Sequence, residues 1–223
     1  MTQPLHTAID PGFQLFETML VTRNRQVRHV ERHLARLARS ATELGFRFDA
    51  DQVHRELDAG VARAAADIAS RVRLTLFHNG SIEITSAPLS QLPDGRVDLL
   101  IESNPLSTPR PLAAHKTTVR DEYDQGTRRA EAYSAFDSLF FTADGRLVEG
   151  GRSNIFVQID GHWWTPPLSD GALPGIMRAL LLEDPAWSAG ERSLRLEDLL
   201  RGRSLMVCNA LRGAVPGRIA IDP

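Results

Sequence analysis

Lysine is almost absent from this chain. A single lysine, Lys116, stands against 25 arginines among 223 residues. Either residue can supply surface charge, so a chain with this bias has accepted arginine almost everywhere else. Only a primary amine can lose its proton near neutral pH and condense with an aldehyde to form a Schiff base. Lys116 is therefore either a chance survivor of a drift toward arginine or a reactive amine.

Several other features are scarce, and each absence excludes a class of protein. Cysteine occurs once, as Cys208, which excludes an internal disulfide and a cysteine-based metal cluster and predicts a reducing, cytoplasmic setting. No apolar run approaches the roughly 18–20 residues of a membrane span, and residues 1–6 lack the pattern of a signal peptide. The formal net charge of −2 gives no electrostatic case for binding nucleic acid or an anionic membrane. The seven histidines lack ligand spacing, so we predict no metal site.

The whole chain has the composition of a globular protein, with 42% hydrophobic and 24% charged residues. Alternating apolar residues and turn signals predict strands. They cover residues 13–21, 71–77, 82–85, 97–101, 136–141, 147–149, 154–159, 163–165 and 204–208. Apolar residues at helical spacing predict helices over residues 30–44, about 51–69, 119–133, 175–182 and 196–200.

Proline marks the boundary between two halves of the chain. Three prolines within residues 104–111 predict a linker without regular structure. Strands alternate with helices on both sides of it. We therefore predict an α/β (α+β) protein with a small N-terminal α/β lobe over residues 1–104, a proline-rich linker over 105–112 and a C-terminal lobe over 113–223.

Two features after Lys116 could hold a flat, phosphorylated ligand. Glu149 ends a predicted strand and precedes two glycines, so backbone can approach a ring closely while the carboxylate binds a protonated ring nitrogen. The segment 173–178 opens a helix, whose free N–H groups can bind phosphate. Arg36, in a row with Arg32 and Arg39, could add a fork-shaped contact to that phosphate. Each feature also has an ordinary interpretation: a strand-end acid, a plain helix start and a solvent-exposed helix face.

Taken together, an amine, a ring-nitrogen acid and a phosphate cup are what pyridoxal 5′-phosphate (PLP) requires. The sequence resembles the class IV (fold type IV) PLP enzymes, which include branched-chain aminotransferases, D-amino-acid aminotransferases and aminodeoxychorismate lyases. Seven segments carry the resemblance, in the family's order around the single lysine. They are residues 16–18 (FET), 33–37 (HLARL), 115–118 (HKTT), 149–156 (EGGRSNIF), 164–167 (WTPP), 173–178 (LPGIMR) and 208–211 (CNAL).

The resemblance implies a role for each matching position. Lys116 matches the Schiff-base lysine, Glu149 the partner of the pyridine nitrogen and Arg36 the phosphate-binding arginine. Ile176 and Met177 match the residues whose backbone amides form the phosphate cup. Asn209 and Ala210 match a late loop that closes over the phosphate. It also implies a barrel-like sheet in the larger C-terminal lobe, a small-molecule amine substrate and a homodimer.

Two activities of this family stay open. A lyase would convert 4-amino-4-deoxychorismate to 4-aminobenzoate and pyruvate for folate synthesis, whereas an aminotransferase would act on a branched-chain or D-amino acid. Thr18 lies where the similar lyases carry a threonine over the cofactor, which implies a catalytic hydroxyl; the alternative is an ordinary β-branched strand residue. The segment 208–211 also resembles the lyases. Asp121 replaces a tyrosine of the branched-chain enzymes, and Tyr123 follows two positions later.

A dicarboxylate substrate would need cationic partners. The candidates are Arg73, Arg120, Arg152 and Arg212, each with surface exposure as the alternative. Compared with the family, few residues precede Phe13, which leaves substrate specificity open. A non-catalytic binding protein is the third hypothesis, and retention of both Lys116 and Glu149 argues against it.

Overall fold

The computed structural model describes residues 12–92, 95–107 and 110–220, so most of the segment before Phe13 lies outside the described residues. Within these ranges the strands form one three-stranded and one eight-stranded sheet. The larger sheet is curled, so the predicted combination of a small α/β lobe with a barrel-like sheet is confirmed.

The small sheet is antiparallel, in the order β1-β2-β3. Its strands are β1 (Leu15–Val21), β2 (Ser70–Leu76) and β3 (Ile82–Pro88), and helices α1 (Val30–Leu44) and α2 (Ala50–Arg63) accompany it. Successive side chains of a strand point to opposite faces. Leu15, Met19 and Val21 therefore face the helices, and they form a buried cluster with Leu34 and Leu37 of α1.

The large sheet is mixed, in the order β6-β5-β4-β11-β10-β7-β8-β9. Its strands are β4 (Val97–Ile101), β5 (Asp137–Phe141), β6 (Leu147–Gly150), β7 (Asn154–Ile159), β8 (His162–Thr165), β9 (Ala189–Glu191), β10 (Ser204–Asn209) and β11 (Gly213–Ile219). The accompanying helices are α3 (Arg110–Ala113), α4 (Asp121–Ala132), α5 (Ile176–Glu183) and α6 (Leu196–Arg201). None of the helices in the described part of the chain is long and apolar enough to cross a membrane.

Helix α2 ends six residues earlier than its apolar spacing predicts. Ala64 leaves the helix in an extended conformation, and Asp67 has a φ of 62°. The helical pattern would place Ile68 on the buried face, yet Ile68 is 43% exposed. The predicted end at residue 69 is therefore wrong, because an apolar residue at the right spacing does not show that the backbone is still helical.

Two further differences involve proline. The linker was predicted to lack regular structure, yet α3 begins at Arg110 with Pro111 in its first turn, where a helix needs no N–H donor. Strand β11 was not predicted because it contains Gly213, Pro216 and Gly217. Pro216 precedes the residues that pair with β4, since that ladder begins at Gly217.

The division into lobes at residues 104 and 113 stays a prediction. β4 falls within the range assigned to the small lobe, but its hydrogen bonds join it to β5 and β11 of the large sheet. This pairing favours a border between β3 and β4, close to residues 89–96.

Candidate active site

A cavity of about 950 Å³ is lined by residues of both sheets. The small sheet contributes Phe16, Thr18 and Arg73, and the segment before α4 contributes Lys116. The large lobe supplies the rest of the wall, which includes Tyr123, Glu149, Asn154, Ile176, Asn209 and Ala210. Residues distant in sequence therefore meet in one place.

The alternation along β1 decides which side chains reach the cavity. Phe16 and Thr18 line it, whereas Glu17 points to the opposite face and is 1% exposed. Across the ladder, Thr18 pairs with Arg73 of β2. The side chains of Thr18 and Arg73 thus lie on the same face of the small sheet, and both line the cavity.

Lys116 is held against β1 by backbone hydrogen bonds. Phe16 N donates to Lys116 O at 3.0 Å, and Thr118 N donates to Gln14 O at 2.9 Å. The preceding His115 is buried, with its Nδ1 3.0 Å from Ser40 Oγ of α1. These contacts place Lys116 Nζ 4.6 Å from the centroid of the Phe16 ring. The amine therefore has a defined position in the cavity wall.

The surroundings of Lys116 favour the neutral amine. Burial disfavours the ammonium form, and the nearby positive charges of Arg120 and Arg36 act in the same direction. The carboxylates of Glu17 and Glu149 oppose them less strongly, and the pKa of Lys116 falls to about 7. A substantial fraction of the amine is therefore unprotonated, and nucleophilic, at neutral pH.

Glu149 is a buried acid that accepts three hydrogen bonds. Its Oε2 accepts from Asn154 Nδ2 at 2.9 Å and from the backbone N–H of Leu173 at 3.1 Å. Its Oε1 accepts from the Tyr123 hydroxyl at 3.2 Å. Burial outweighs these donors and raises the pKa of Glu149 to about 7. A cation placed beside the carboxylate, such as a protonated ring nitrogen, would offset that burial.

The turn after Glu149 is built around Asp137. The carboxylate of Asp137 is fully buried and accepts from Ser153 Oγ at 2.6 Å and from the backbone N–H of Arg152 at 3.1 Å. A Cβ at Gly150 would meet this carboxylate, and a Cβ at Gly151 would lie 2.5 Å from Thr127 Oγ1. The two glycines therefore let the turn close over Asp137, which fixes the direction of Glu149 and Asn154.

Arg36 differs from its neighbours along α1. Arg32 and Arg39 are exposed, whereas Arg36 is 7% exposed. Its Nε and Nη2 donate to the two oxygens of Glu17 at 2.8 and 2.6 Å, and its Nη1 donates to Pro174 O at 3.1 Å. Burial by itself would raise the pKa of Glu17, but the pairing with Arg36 and a hydrogen bond from His33 lower it to about 2. Arg36 therefore ties α1 to β1 through Glu17 and to the segment before α5 through Pro174.

Helix α5 begins at Ile176 without a side-chain cap, so the N–H groups of Ile176 and Met177 are not satisfied by one. Gly175, just before it, packs against Asn154, because a Cβ there would meet Asn154 Oδ1. Ile176 lines the cavity, whereas the Met177 side chain packs against a cluster with Phe156, Leu181 and Cys208. Any contact of Met177 with an anion would therefore use its backbone.

The late loop lies between β10 and β11. Asn209 Nδ2 donates to Arg152 O at 3.1 Å, and Asn209 Oδ1 accepts from the backbone N–H groups of Leu211 and Arg212 at 3.1 and 2.9 Å. The Asn209 side chain thus shapes the loop that brings Asn209 and Ala210 to the cavity wall.

The four candidate arginines differ in how they are paired. Arg152 donates to Phe136 O and pairs with Glu131, and Arg212 binds Ser90. Arg120 pairs with Asp124 and donates to Gly151 O. Within the described ranges, the Arg73 side chain has no hydrogen bond or ion pair, and its Cζ lies 3.8 Å from the Phe16 ring centroid. Burial and the charge of Arg120 lower the pKa of Arg73, as expected for a cation without a counter-ion.

Comparison with known proteins identifies the family of this chain. The family model for amino-transferase class IV matches residues 14–219, nearly the whole chain. This chain belongs to the amino-transferase class IV family. Enzymes of this family depend on PLP.

The names of its class IV relatives point to two reactions. A provisionally named aminodeoxychorismate lyase of Schizosaccharomyces pombe is 29% identical over 214 residues, covering 94% of this chain and 90% of the relative. A provisionally named branched-chain-amino-acid aminotransferase of Thermotoga maritima is 29% identical over 202 residues, covering 84% and 70%. The crystal structure of a provisionally named amino-acid aminotransferase from Mesorhizobium loti is 33% identical, with a TM-score of 0.85 and coverage of 93% and 100%.

The structure of this class IV protein brings most of the predicted site residues to one cavity. The cavity wall includes Thr18, Arg36, Lys116, Glu149, Ile176, Asn209 and Ala210. Sequence reasoning missed the contributions of Glu17, Tyr123 and Asp137. An acid within an apolar strand signals a buried partner, and this signal could have identified Glu17. The same signal marks Asp137 within the predicted strand 136–141, whereas Tyr123 carries none.

Proposed function

We propose that this chain is a PLP-dependent lyase that converts 4-amino-4-deoxychorismate to 4-aminobenzoate and pyruvate. The observation that carries the proposal is the face shared by Thr18 and Arg73 beside Lys116. It combines a proton donor, a cation whose side chain has no ion pair among the described residues, and a reactive amine. The S. pombe relative supports the same assignment.

The residues fit PLP at each of its three ends. Lys116, with a pKa of about 7, is an amine that can join the aldehyde. Glu149 is a buried acid that would gain a partner from the ring nitrogen. The Arg36 guanidinium and the uncapped start of α5 would hold the phosphate, with the backbone of Asn209 and Ala210 closing over it.

Bound PLP would supply a sink for the electron pair left when a proton leaves the substrate carbon that bears the amine. Lys116 Nζ, once released by the incoming substrate amine, would remove that proton. Glu149 would keep the ring nitrogen protonated. Thr18 Oγ1 would donate a proton to the oxygen of the departing enolpyruvyl group, and Arg73 would neutralise a substrate carboxylate. Because loss of this group makes the ring aromatic, the protein chiefly has to orient and protonate it.

The alternative is a class IV aminotransferase acting on a branched-chain or D-amino acid. The names of the T. maritima and M. loti proteins favour it. An aminotransferase needs the same Lys116 and Glu149, so these residues do not distinguish the two reactions. Thr18 and Arg73 are the positions where the reactions make different demands.

The decisive experiment compares both reactions with the purified full chain and added PLP. With 4-amino-4-deoxychorismate, we expect 4-aminobenzoate by chromatography and pyruvate in equal amounts by a coupled dehydrogenase assay. With pairs of amino acids and 2-oxo acids, we expect no sustained amino transfer. Amino transfer without an aromatic product would establish the alternative and contradict the lyase.

We further propose that the protein acts as a cytoplasmic homodimer in folate synthesis. The class IV resemblance supports the dimer, and the single, buried Cys208 fits a reducing compartment. Sedimentation of the PLP-loaded chain at several concentrations should give the mass of two chains. A monomer that retains full lyase activity would contradict the dimer proposal.

A further inference from the structure

Tyr123 contacts the key acid of the cavity from the side of α4. Its hydroxyl donates to Glu149 Oε1 at 3.2 Å. Its ring packs edge-on against Phe140, with 4.9 Å between centroids and 63° between planes. Phe140 is the residue paired with Glu149 across the β5–β6 ladder. The sheet that carries Glu149 therefore also holds the phenol in place.

The donors to Glu149 are divided between its two oxygens. Oε2 accepts from Asn154 and from the backbone of Leu173, whereas Tyr123 is the donor to Oε1 among the described residues. A carboxylate held at one oxygen can still rotate about its last torsion, which is broad. A donor at the second oxygen removes that freedom.

We propose that Tyr123 is a positioning residue that keeps the Glu149 carboxylate ionised and turned toward the ring nitrogen of a bound cofactor. The inference rests on the proposed function for the identity of that cofactor. The contact between Tyr123 and Glu149 is independent of it.

The charges that face Glu149 explain why one more donor matters. Burial opposes ionisation most strongly, while the Leu173 N–H, the Tyr123 hydroxyl, Lys116 and Arg120 favour it. Burial and the neighbouring Glu149 raise the pKa of Tyr123 well above its usual value, so the phenol keeps its proton and stays a donor. Burial also raises the pKa of the nearby Cys208 thiol to about 12, which leaves it neutral. Tyr123 thus stabilises the carboxylate without adding a charge.

The chain offers a matched pair of variants, because Tyr123 and Tyr133 are its two tyrosines. Tyr123→Phe removes the hydroxyl and keeps the ring on Phe140, and Tyr133→Phe removes the same group from a side chain that is 57% exposed. In full chain stripped of cofactor, ¹³C NMR of the glutamate carboxyls would follow Glu149, assigned by loss of its signal in Glu149→Gln. We expect Tyr123→Phe to raise the pKa of Glu149 by roughly one pH unit. An unchanged value, or an equal rise in Tyr133→Phe, would overturn the proposal.

A second measurement uses the unmodified sequence and so does not depend on the variant folding. Labelling the tyrosine ring carbon that bears the hydroxyl gives two signals, assigned with the two variants or by solvent exposure. The Tyr123 signal should shift as Glu149 ionises near pH 7, and the Tyr133 signal should not. A Tyr123 signal that does not shift near pH 7 would show that the Tyr123 hydroxyl and the Glu149 carboxylate do not interact.

Ligand affinity tests whether Tyr123 turns the Glu149 carboxylate toward the ring nitrogen of the cofactor. PLP is compared with an analogue in which carbon replaces the ring nitrogen. Tyr123→Phe should weaken PLP by roughly tenfold and leave the analogue nearly unchanged. Equal losses for both ligands would overturn the role at the ring nitrogen. The carboxyl titration needs neither ligand nor substrate, so failure of the lyase assay is distinguishable from failure of this inference.

Discussion

At the scale of single residues, the proposed chemistry depends on an amine that loses its proton near neutral pH. Arginine could provide the same charge at position 116 but could not provide a nucleophile. Burial lowers the pKa of Lys116 most strongly, followed by the positive charges of Arg120 and Arg36. The scarcity of lysine in the sequence and the electrostatics of the cavity therefore lead to the same residue.

This electrostatic argument gives a prediction about capture of the aldehyde. Incubation with PLP followed by borohydride should attach the pyridoxyl group to Lys116, with a rate that rises from about pH 6 to about pH 8 as the amine loses its proton. Peptide mass mapping would locate the group. Lys116→Arg keeps a positive charge at this position and should give no attachment there, with any remaining label confined to the α-amine of the chain. Equal attachment in that variant would show that another amine reacts.

Single residues also show the limits of sequence reasoning. Lys116, Glu149 and the helix start at Ile176 are predictable because each belongs to a contiguous motif with a chemical signature. Tyr123 and Asp137 act through partners far away in the chain, since Tyr123 reaches Glu149 across 26 positions and Asp137 reaches Ser153 across 16. No spacing rule within one element reports such contacts.

At the scale of elements, the alternation of β1 separates two functions. One face carries Glu17, which fixes Arg36 of α1, and the other carries Thr18, which lies opposite Arg73 of β2. A shift in register by one residue would exchange these faces. The pairing of β1 with β2 thus sets the positions of Arg36, proposed to bind phosphate, and of Thr18 and Arg73, proposed to face the substrate.

The register predicts which hydroxyl matters for lyase activity. Thr18→Val should lower kcat by roughly 100-fold or more, the usual loss for a missing proton donor, and should leave PLP affinity within about twofold. Thr75→Val is the control, because Thr75 pairs with Phe16, two ladder positions from the Thr18–Arg73 pair, and does not line the cavity. Steady-state kinetics with 4-amino-4-deoxychorismate would measure both. A similar loss of kcat in the two variants would mean that the substitution acts by destabilising the small sheet.

The elements themselves are predictable to different degrees. Helix α1 follows from apolar spacing alone, with Gly45 ending it in a left-handed conformation at a φ of 75°. Strand β11 does not, because Pro216 and two glycines conceal it, and it exists through pairing with β10 and β4. Tertiary partners decide such segments, and β4, which the predicted small lobe includes, likewise pairs with β5 and β11 of the large sheet.

At the scale of the whole molecule, the cavity imposes a cost on folding that depends on pH. The pKa of Glu149 is raised from 4.5 to about 7, so between these values the folded chain holds more protons than the unfolded chain, and stability falls as pH rises. The pKa of Lys116 is lowered from 10.5 to about 7, so above pH 7 the unfolded chain holds more protons, and stability rises with pH. Both groups therefore contribute a minimum of stability near pH 7.

Removing the two groups should remove that minimum. We expect the double variant Lys116→Met with Glu149→Gln to melt at a higher temperature than the unmodified chain at pH 7, by roughly 3 °C or more, with a smaller difference near pH 5 or pH 9.5. Calorimetry of cofactor-free protein across this range would measure it, with Glu31→Gln on the exposed side of α1 as the control. A difference in melting temperature that does not depend on pH would mean that ionisation of these two groups does not destabilise the fold. Because PLP would satisfy both groups, its binding should raise the melting temperature of the unmodified chain near pH 7 and have little effect on the double variant.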